Sequence, residues 1–478
     1  GRYLFEANFR ADGSSRFAKG QRWAMFPSGS LGWRISEEPF FAPAKNVMSN
    51  LKLRYSLGSL GNQQMSDYYP TWEVVSGGRV VNYTLDGTTR ISSASVSDPV
   101  SSGLTWETVT TNNIGLDMGF LGGRLNASAD FYIRDTKNML TESLTLPSVY
   151  GATTPKENCA DLRTKGYEIY VSWNDSFKLG TSDFTYGISA SLGDYVGIIT
   201  KFNNPNKSLS SRYPGQIFGE IWGYQVDGLF KSDEEAADYM SRIDATVIHK
   251  TGVFNSTNPE ENYLRAGDVI FADLNGDGKI TTGSNTVDDP GDRRIIGNSR
   301  PRYLYSFNVN LGWHGFDFSM FWQGVGRRDV YPDANGDGAY LFWGMYNTVT
   351  AAFVPKNWES MLWADDGSNP NAYFPRRRDG YARNGALMNT NSYYLQNAGY
   401  IRLKNLSVGY TFDFKNPVVD KLRIGFNAEN VWYWSPMKKY CKTIDPELMG
   451  AGFSDNGGAR CTGITYPRTF TFNLQLTF

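Results

Sequence analysis

Asp273, Asn275 and Asp277 set oxygen-bearing side chains at every second position of the run Asp273-Leu274-Asn275-Gly276-Asp277-Gly278-Lys279-Ile280. Alternating carboxylate and amide oxygens, a glycine at the sharp bend and a backbone carbonyl at the seventh position, that of Lys279, form the first half of a calcium-binding loop. The spacing predicts calcium in the 273–284 loop, held by Asp273, Asn275, Asp277 and the Lys279 carbonyl. The bidentate Glu expected at the twelfth position is replaced by Ser284, so Asp288, Asp289 or Asp292 would have to fold back and complete the shell. The plainer alternative is that Asn-Gly and Asp-Gly simply make tight turns. A weaker copy, Asp333, Asn335, Asp337 and Gly338, has Gly344 at its twelfth position.

Catalytic chemistry is poorly represented. His249 and His314 are the whole histidine complement, so a zinc-binding His pair on one helix face cannot be built, and His314 lies in the short Trp313-His314-Gly315 turn. Neither a phosphate-cradling Gly-Lys-Ser/Thr loop nor a Gly-x-Ser-x-Gly elbow occurs. Asp365 and Asp366 are adjacent, whereas a glycosidase needs two carboxylates facing each other across the scissile bond. No catalytic residue is assigned, and the chain reads as a non-enzyme. Cys159, Cys441 and Cys461 all fall in segments that read as external loops. Cys441 and Cys461 share one such segment, where a bridge would contribute roughly 3 kcal/mol of chain entropy; two unpaired thiols are the alternative.

The elements that must carry these residues are read from composition and periodicity. With 47 basic and 48 acidic residues among 478, the net charge is −1, which argues against a nucleic acid held by phosphate contacts. No run approaches the roughly 18 to 20 consecutive apolar residues of a membrane-spanning helix, and mean hydropathy is −0.43. Helical membrane bundles are excluded, but a transmembrane β-barrel is not, because its strands alternate lipid-facing and lumen-facing residues. The 15% aromatic content and 50 glycines suit such a barrel. The first residues, Gly1 to Phe5, open in a strand pattern rather than a basic-then-apolar leader.

Period-two alternation recurs along the chain. Tyr3, Phe5, Ala7 and Phe9 alternate with Arg2, Glu6, Asn8 and Arg10, and Phe470, Phe472, Leu474 and Leu476 with Thr469, Thr471, Asn473 and Gln475. About twelve strands follow, each near the length of a tilted membrane-spanning strand: 2–10, 23–35, 49–58, 104–119, 123–136, 165–174, 182–196, 302–313, 316–327, 399–412, 422–434 and 468–478. A soluble β-sandwich alternates too, but its core face has little need of an aromatic rim opposite a fully charged face. Between Leu403 and Leu406 the parity slips, which predicts a β-bulge near Lys404 or Asn405. Short turns at 120–123, 174–181 and 313–316 alternate with long connections at 59–103, 197–301, 328–398 and 435–467. Outer-membrane barrels keep short turns periplasmic and long loops extracellular, so the final strand should descend to a periplasmic Phe478. The 197–301 segment, with an acidic, helix-prone stretch from Ser232 to Met240, is expected to fold as a large extracellular loop subdomain. The 328–398 segment is a second large loop. Their aromatics, among them Trp222, Tyr224, Trp343 and Trp358, suit sugar or peptide contact, docking of another protein, or packing between loops.

Five stretches resemble the C-terminal half of the SusC/RagA-like family of TonB-linked outer-membrane transporters. They are FEANFRADGSSRFAKGQRWAMFPSGSLGWRISEE at 5–38, GDVIFADLNGDGKIT at 267–281, IIGNSRPRYLYSFNVNLGW at 295–313, YIRLKNLSVGYTF at 400–412 and YPRTFTFNLQLTF at 466–478. The resemblance implies an all-β fold, with 1–478 as the C-terminal part of a plugged barrel of roughly 22 strands. It also implies a multi-pass protein of the Gram-negative outer membrane. It further implies active import of oligosaccharides or peptides, a SusD-like surface lipoprotein as lid, and TonB acting through a region not in this sequence. A siderophore-type TonB-dependent receptor, a self-contained twelve-stranded pore and a surface adhesin are the alternatives.

Overall fold

The structure is a computed structural model. It describes all residues except 66–69, 85–86, 97–98, 102, 143–148, 150–153, 250–261, 333–341, 344–355, 378–384, 415–417, 443, 449–457 and 460–465. Twelve strands form one antiparallel sheet in chain order: β1 (Tyr3–Gly13), β2 (Trp23–Arg34), β3 (Met48–Asn62), β4 (Glu107–Phe120), β5 (Leu125–Glu142), β6 (Lys156–Leu179), β7 (Ser182–Lys201), β8 (Arg302–Trp313), β9 (Phe316–Arg327), β10 (Tyr400–Asp413), β11 (Lys421–Trp434) and β12 (Thr469–Thr477). Each pairs with the next, so the sheet is a continuous meander. β1 and β12 are its edges and do not pair with each other, which is not the geometry of a self-contained twelve-stranded pore.

All twelve predicted strands are present, and the parity slip is a bulge: the register of β10 shifts between Leu403 and Asn405 against β11 and at the same place against β9. β5, β6 and β7 run beyond their predicted ends, β6 to 24 residues. Their upper parts carry charge on the outward parity, as in the Arg163–Asp135 pair at 2.7 Å, because the ladder continues there into water. Cys159 therefore lies on β6 rather than in a loop, as a half-buried free thiol.

The turns at one end follow from backbone sterics. His314 and Gly315 both have positive φ, 48° and 86°, as a two-residue hairpin matched to strand twist requires. A Cβ at Gly315 would also meet the Thr411 carbonyl oxygen at 2.6 Å. On one face of the wall aromatics touch across strands: Phe307 on Trp322 at 5.4 Å, Trp322 on Trp432 at 5.8 Å and Phe426 on Phe472 at 5.1 Å. Phe472 stands 80% exposed, the state of a lipid-facing ring. The opposite face carries charge. Arg54 lies between Asp117 and Asp130 at 2.8 and 3.0 Å, and Arg423 pairs with Asp317 across β9–β11.

At the other end, segments from 202–301, 328–399 and 435–448 build one cap. Its helix α1 (Asp233–Arg242) begins at Ser232, whose hydroxyl accepts the Glu235 amide at 3.2 Å, and three acidic residues occupy its first turn. Tyr239 on its buried face donates to the Phe271 carbonyl at 2.8 Å. The cap core is continuous over all three segments, uniting Phe230, Phe271, Trp343, Phe374, Met437 and Ile444. Val75–Thr84 and Arg90–Val96 form a hairpin not expected from the sequence, and Phe17, Phe26, Leu104 and Trp106 form a separate small core.

Candidate functional site

The barrel mouth lies where the upper ends of β7 to β10 meet the cap. Arg302, at the start of β8, grips Asp194 of β7 with two 2.6 Å bonds. On β10, Arg402 pairs with Asp445 of the 435–448 segment and stands 3.0 Å from Glu447. Lys404, the residue at the bulge, reaches Glu447 at 2.5 Å. The Arg402 guanidinium also lies 4.6 Å from the Tyr433 ring and 5.3 Å from that of Tyr466. This knot joins cap to wall, and its partners lie about forty residues apart in sequence.

Below the mouth, the charged face holds a recess of about 440 Å³ lined by Asp130, Glu168, Tyr170, Ser191, Ser306 and Gln323. These polar groups, among which no nucleophile is poised beside a base, share the lining with Ile169, Leu192, Leu304 and Phe321. Glu220, in the cap, accepts from Tyr213 and, at 2.9 Å, from the Trp222 indole, and burial raises the Tyr213 hydroxyl pKa.

The aromatics singled out from sequence are mostly internal. Trp343 and Trp358 are 0% and 1% exposed and donate to the carbonyls of Pro332 and Tyr440 at 2.8 and 2.7 Å. Tyr224 is buried edge-on against Phe271, and Trp222 is half-buried beside Glu220. Three of the four thus form packing between loops. Isolated loop aromatics carry no periodic pattern that would have separated these two roles.

In the calcium-like segment, Asp273 accepts the Gly276 and Gly278 amides at 2.7 and 2.9 Å, Asn275 the Asp277 amide and Asp277 the Lys279 amide. Asp292 is buried beneath the loop, where its two oxygens accept the Leu274 and Thr281 amides at 2.8 and 2.7 Å. Burial raises its carboxyl pKa. Ser284 donates its amide to Asp289. Among the described residues no group of three or more His, Cys, Asp or Glu side chains converges as a metal cluster. The second copy, Asp333 to Gly338 with Gly344, lies outside the described residues, as does Cys461; Cys441 is buried in the cap core. Asp365 pairs with Arg376 at 2.9 Å while Asp366 caps the Ser368 amide, so the two carboxylates face different partners.

An antiparallel meander with an apolar, aromatic outer face, a charged inner face, tight turns at one end and a folded cap at the other defines the wall of an outer-membrane β-barrel. The TonB dependent receptor-like, beta-barrel family matches residues 1–431, and the chain belongs to it. It is therefore an outer-membrane protein of a receptor-like barrel family. It is similar to the TonB-dependent receptor SusC of Bacteroides thetaiotaomicron, 29% identical over 490 residues covering 100% of this chain and 42% of that protein. TonB-dependent receptor P3 of Formosa agariphila is 26% identical over 505 residues, covering 100% of this chain and 44% of the relative. The fold is shared with the RagAB peptide transporter at a TM-score of 0.67 and 20% identity, over 100% of this chain and 46% of that one. The chain spans less than half the length of these relatives.

Proposed function

We propose that this chain is the C-terminal part of the barrel wall of a TonB-dependent importer that carries oligosaccharides or peptides across the outer membrane beneath a SusD-like lipoprotein lid. The observation that carries this reading is the cap: three long connections share one core and are tied to the wall through Arg402, Asp445 and Glu447. An extracellular rim ordered in this way gives a lid a surface on which to seat, whereas a plain pore or a siderophore receptor has no such need. The likeness in fold to a peptide transporter supports the peptide class, and the family resemblance carried by the sequence implies oligosaccharides beside it. Differential contacts in the lid-open and lid-closed states would supply the gating energy.

The test is native mass spectrometry of the detergent-extracted complex from its source membrane, with each band mapped by peptides. Co-migration with a lipoprotein, and loss of nutrient uptake on deletion of the gene or of TonB, are expected. A barrel that migrates without a lipoprotein and whose deletion leaves uptake intact refutes the reading.

Calcium belongs to the same proposal, as an ion that stiffens the largest loop through Asp273, Asn275, Asp277 and the Lys279 carbonyl. Its support is the alternating oxygens on a turn already closed by Gly276 and Gly278, with Asp292 folded beneath. Calorimetric titration of the full-length protein with calcium chloride should show binding that Asp273→Asn removes; equal heats from both proteins reject the ion.

A further inference from the structure

Arg300 stands out among the cations of the mouth. Arg302 has Asp194, Arg327 has Asp329, and Arg402 and Lys404 have Asp445 and Glu447. The Arg300 side chain makes no ion pair with the described residues, and its Nε is covered without a hydrogen-bond partner among them. Its guanidinium carbon stands over an aromatic face, 4.1 Å from the Phe218 ring centroid. It is seated closely, because a Cβ at Gly219, where φ is +89°, would come within 2.5 Å of the Arg300 Cγ.

A second guanidinium is its neighbour. Arg328 donates Nε to the Ser299 carbonyl at 3.2 Å, and burial, with the Arg300 charge next, holds its pKa down to about 10. Tyr400 and Tyr195 also act on Arg328. Tyr195 continues the parity of Ser191 and Gly193, which line the recess below the mouth, and Tyr400 shares the parity of Arg402. The two arginines therefore face the passage rather than lipid.

Nearby carboxylates are already engaged. Asp194 gives both oxygens to Arg302, Glu220 accepts from Tyr213, Trp222 and the Ile217 amide, and Asp329 accepts from Arg327 and the Asn298 amide. Two guanidiniums held together in a partly desolvated place repel, and an oxyanion between them removes that penalty. The planar fork of Arg matches the paired oxygens of a carboxylate or sulfate, and the ring beneath Arg300 keeps the fork in place before the anion arrives.

We propose that Arg300, with Arg328 beside it, is an oxyanion site at the barrel mouth that receives a carboxylate or sulfate group of the imported oligomer. This rests on the importer reading above and narrows its cargo to anionic oligosaccharides or acidic peptides. The same chemistry could be supplied from within, by an acidic side chain of the transporter outside this chain, and the test separates the two sources.

Full-length transporter with its co-purified partner, in detergent, is titrated with hexagalacturonate against maltohexaose and with hexaglutamate against hexaserine. The wild type should bind one anionic probe more tightly than its neutral counterpart by about tenfold or more, with a preference that weakens as salt is raised. Arg300→Gln should erase the preference while leaving neutral-probe binding unchanged, and Arg300→Lys should keep part of it. No anionic preference in the wild type, or an equal preference in Arg300→Gln, overturns the site. If Arg300→Gln lowers the melting temperature of the probe-free complex and leaves probe binding unchanged, the anion is internal and the proposal also fails. TonB-dependent uptake of the native nutrient is measured alongside: its loss of TonB dependence refutes the importer reading, whereas intact uptake without anionic preference refutes only the site.

Discussion

Replacing Arg402 with Ala tests whether the cap is fastened to the barrel through one buried ion group. Arg402 and Asp445 are 1% and 2% exposed, so neither charge has water to turn to. In the variant Glu447 keeps Lys404 at 2.5 Å, but Asp445 retains the Glu447 amide at 3.0 Å as its hydrogen bond and only the more distant Lys438 charge, with no ion pair in contact. Stranding one charge of a buried pair costs roughly 3–5 kcal/mol. The cheapest escape is for the 436–448 segment to lift and hydrate Asp445, so the cost should appear as local opening rather than global unfolding. At about 1.4 kcal/mol per factor of ten, amide exchange in that segment should accelerate by roughly two orders of magnitude or more. Hydrogen-exchange mass spectrometry of the full-length protein reads this directly, with β11 peptides as the internal reference. The double variant Arg402→Met with Asp445→Leu should recover protection, because an apolar pair of similar volume leaves no charge stranded. Exchange in Arg402→Ala within about threefold of wild type, where the stranded charge predicts far more, would show that the knot does not anchor the cap.

Other expectations follow from the two faces and the turns. Leu474→Arg places a cation in the lipid belt and should cost roughly 2–4 kcal/mol near the bilayer midplane, whereas Gln475→Arg on the charged face should assemble normally; heat-modifiable migration on gels separates them. Gly115→Ala drives a Cβ to 2.5 Å from the Asp130 carboxylate and 2.7 Å from the Arg54 guanidinium, and overpacking of that kind costs about 1–3 kcal/mol. Gly29→Ala, whose nearest neighbour is 3.5 Å away, should melt as wild type. Hydrogen bonds from Ser284 hold the Asp289 carboxyl below its ordinary range. A depressed folded pKa contributes stability above the unfolded value of about 3.9 and loses it as pH falls through the folded one. Pepsin cleavage within 282–291, taken relative to cleavage of an unstructured reference peptide at each pH, should therefore rise on acidification below the unfolded value in the wild type and stay level in Asp289→Asn.

The wall was legible because lipid and water impose opposite demands on alternate residues, and that demand acts strand by strand. It even exposed the bulge, since Leu403 and Leu406 cannot both face lipid on a regular strand. The same signal fades where lipid ends, which is why the upper parts of β6 and β7 were cut short: beyond the bilayer a strand such as the one bearing Arg163 has no face that must be apolar. The cap was legible only as aromatic density. Whether Trp343 stacks on a sugar or fills a core depends on what folds around it, here its chain neighbour Phe342 at 4.5 Å and Tyr394, from the far end of the same connection, at 5.0 Å. The charged contacts are longer-range still. Arg54 meets Asp117 and Asp130 across 63 and 76 residues, and Arg300 is notable only for what does not reach it.

The cap is better regarded as one cooperative body than as three loops. Closing a long connection adds little entropy cost as its length grows, but ordering each residue costs on the order of 1–2 kcal/mol. That cost is offset only by burial, and the buried side chains are shared: Met437 and Ile444 from the last connection pack in the same core as Phe230 and Phe374 from the two before it. Withdrawing one segment removes core from the other two, so with the tie at Arg402 intact the rim should move as one body rather than connection by connection. Gating by a lid then requires a hinge outside this body, with the rim a fixed surface held to the wall at Arg402 and Lys404. A cargo group bound at Arg300 would meet that rim ready-made, and its affinity would owe more to pre-organisation than to induced fit.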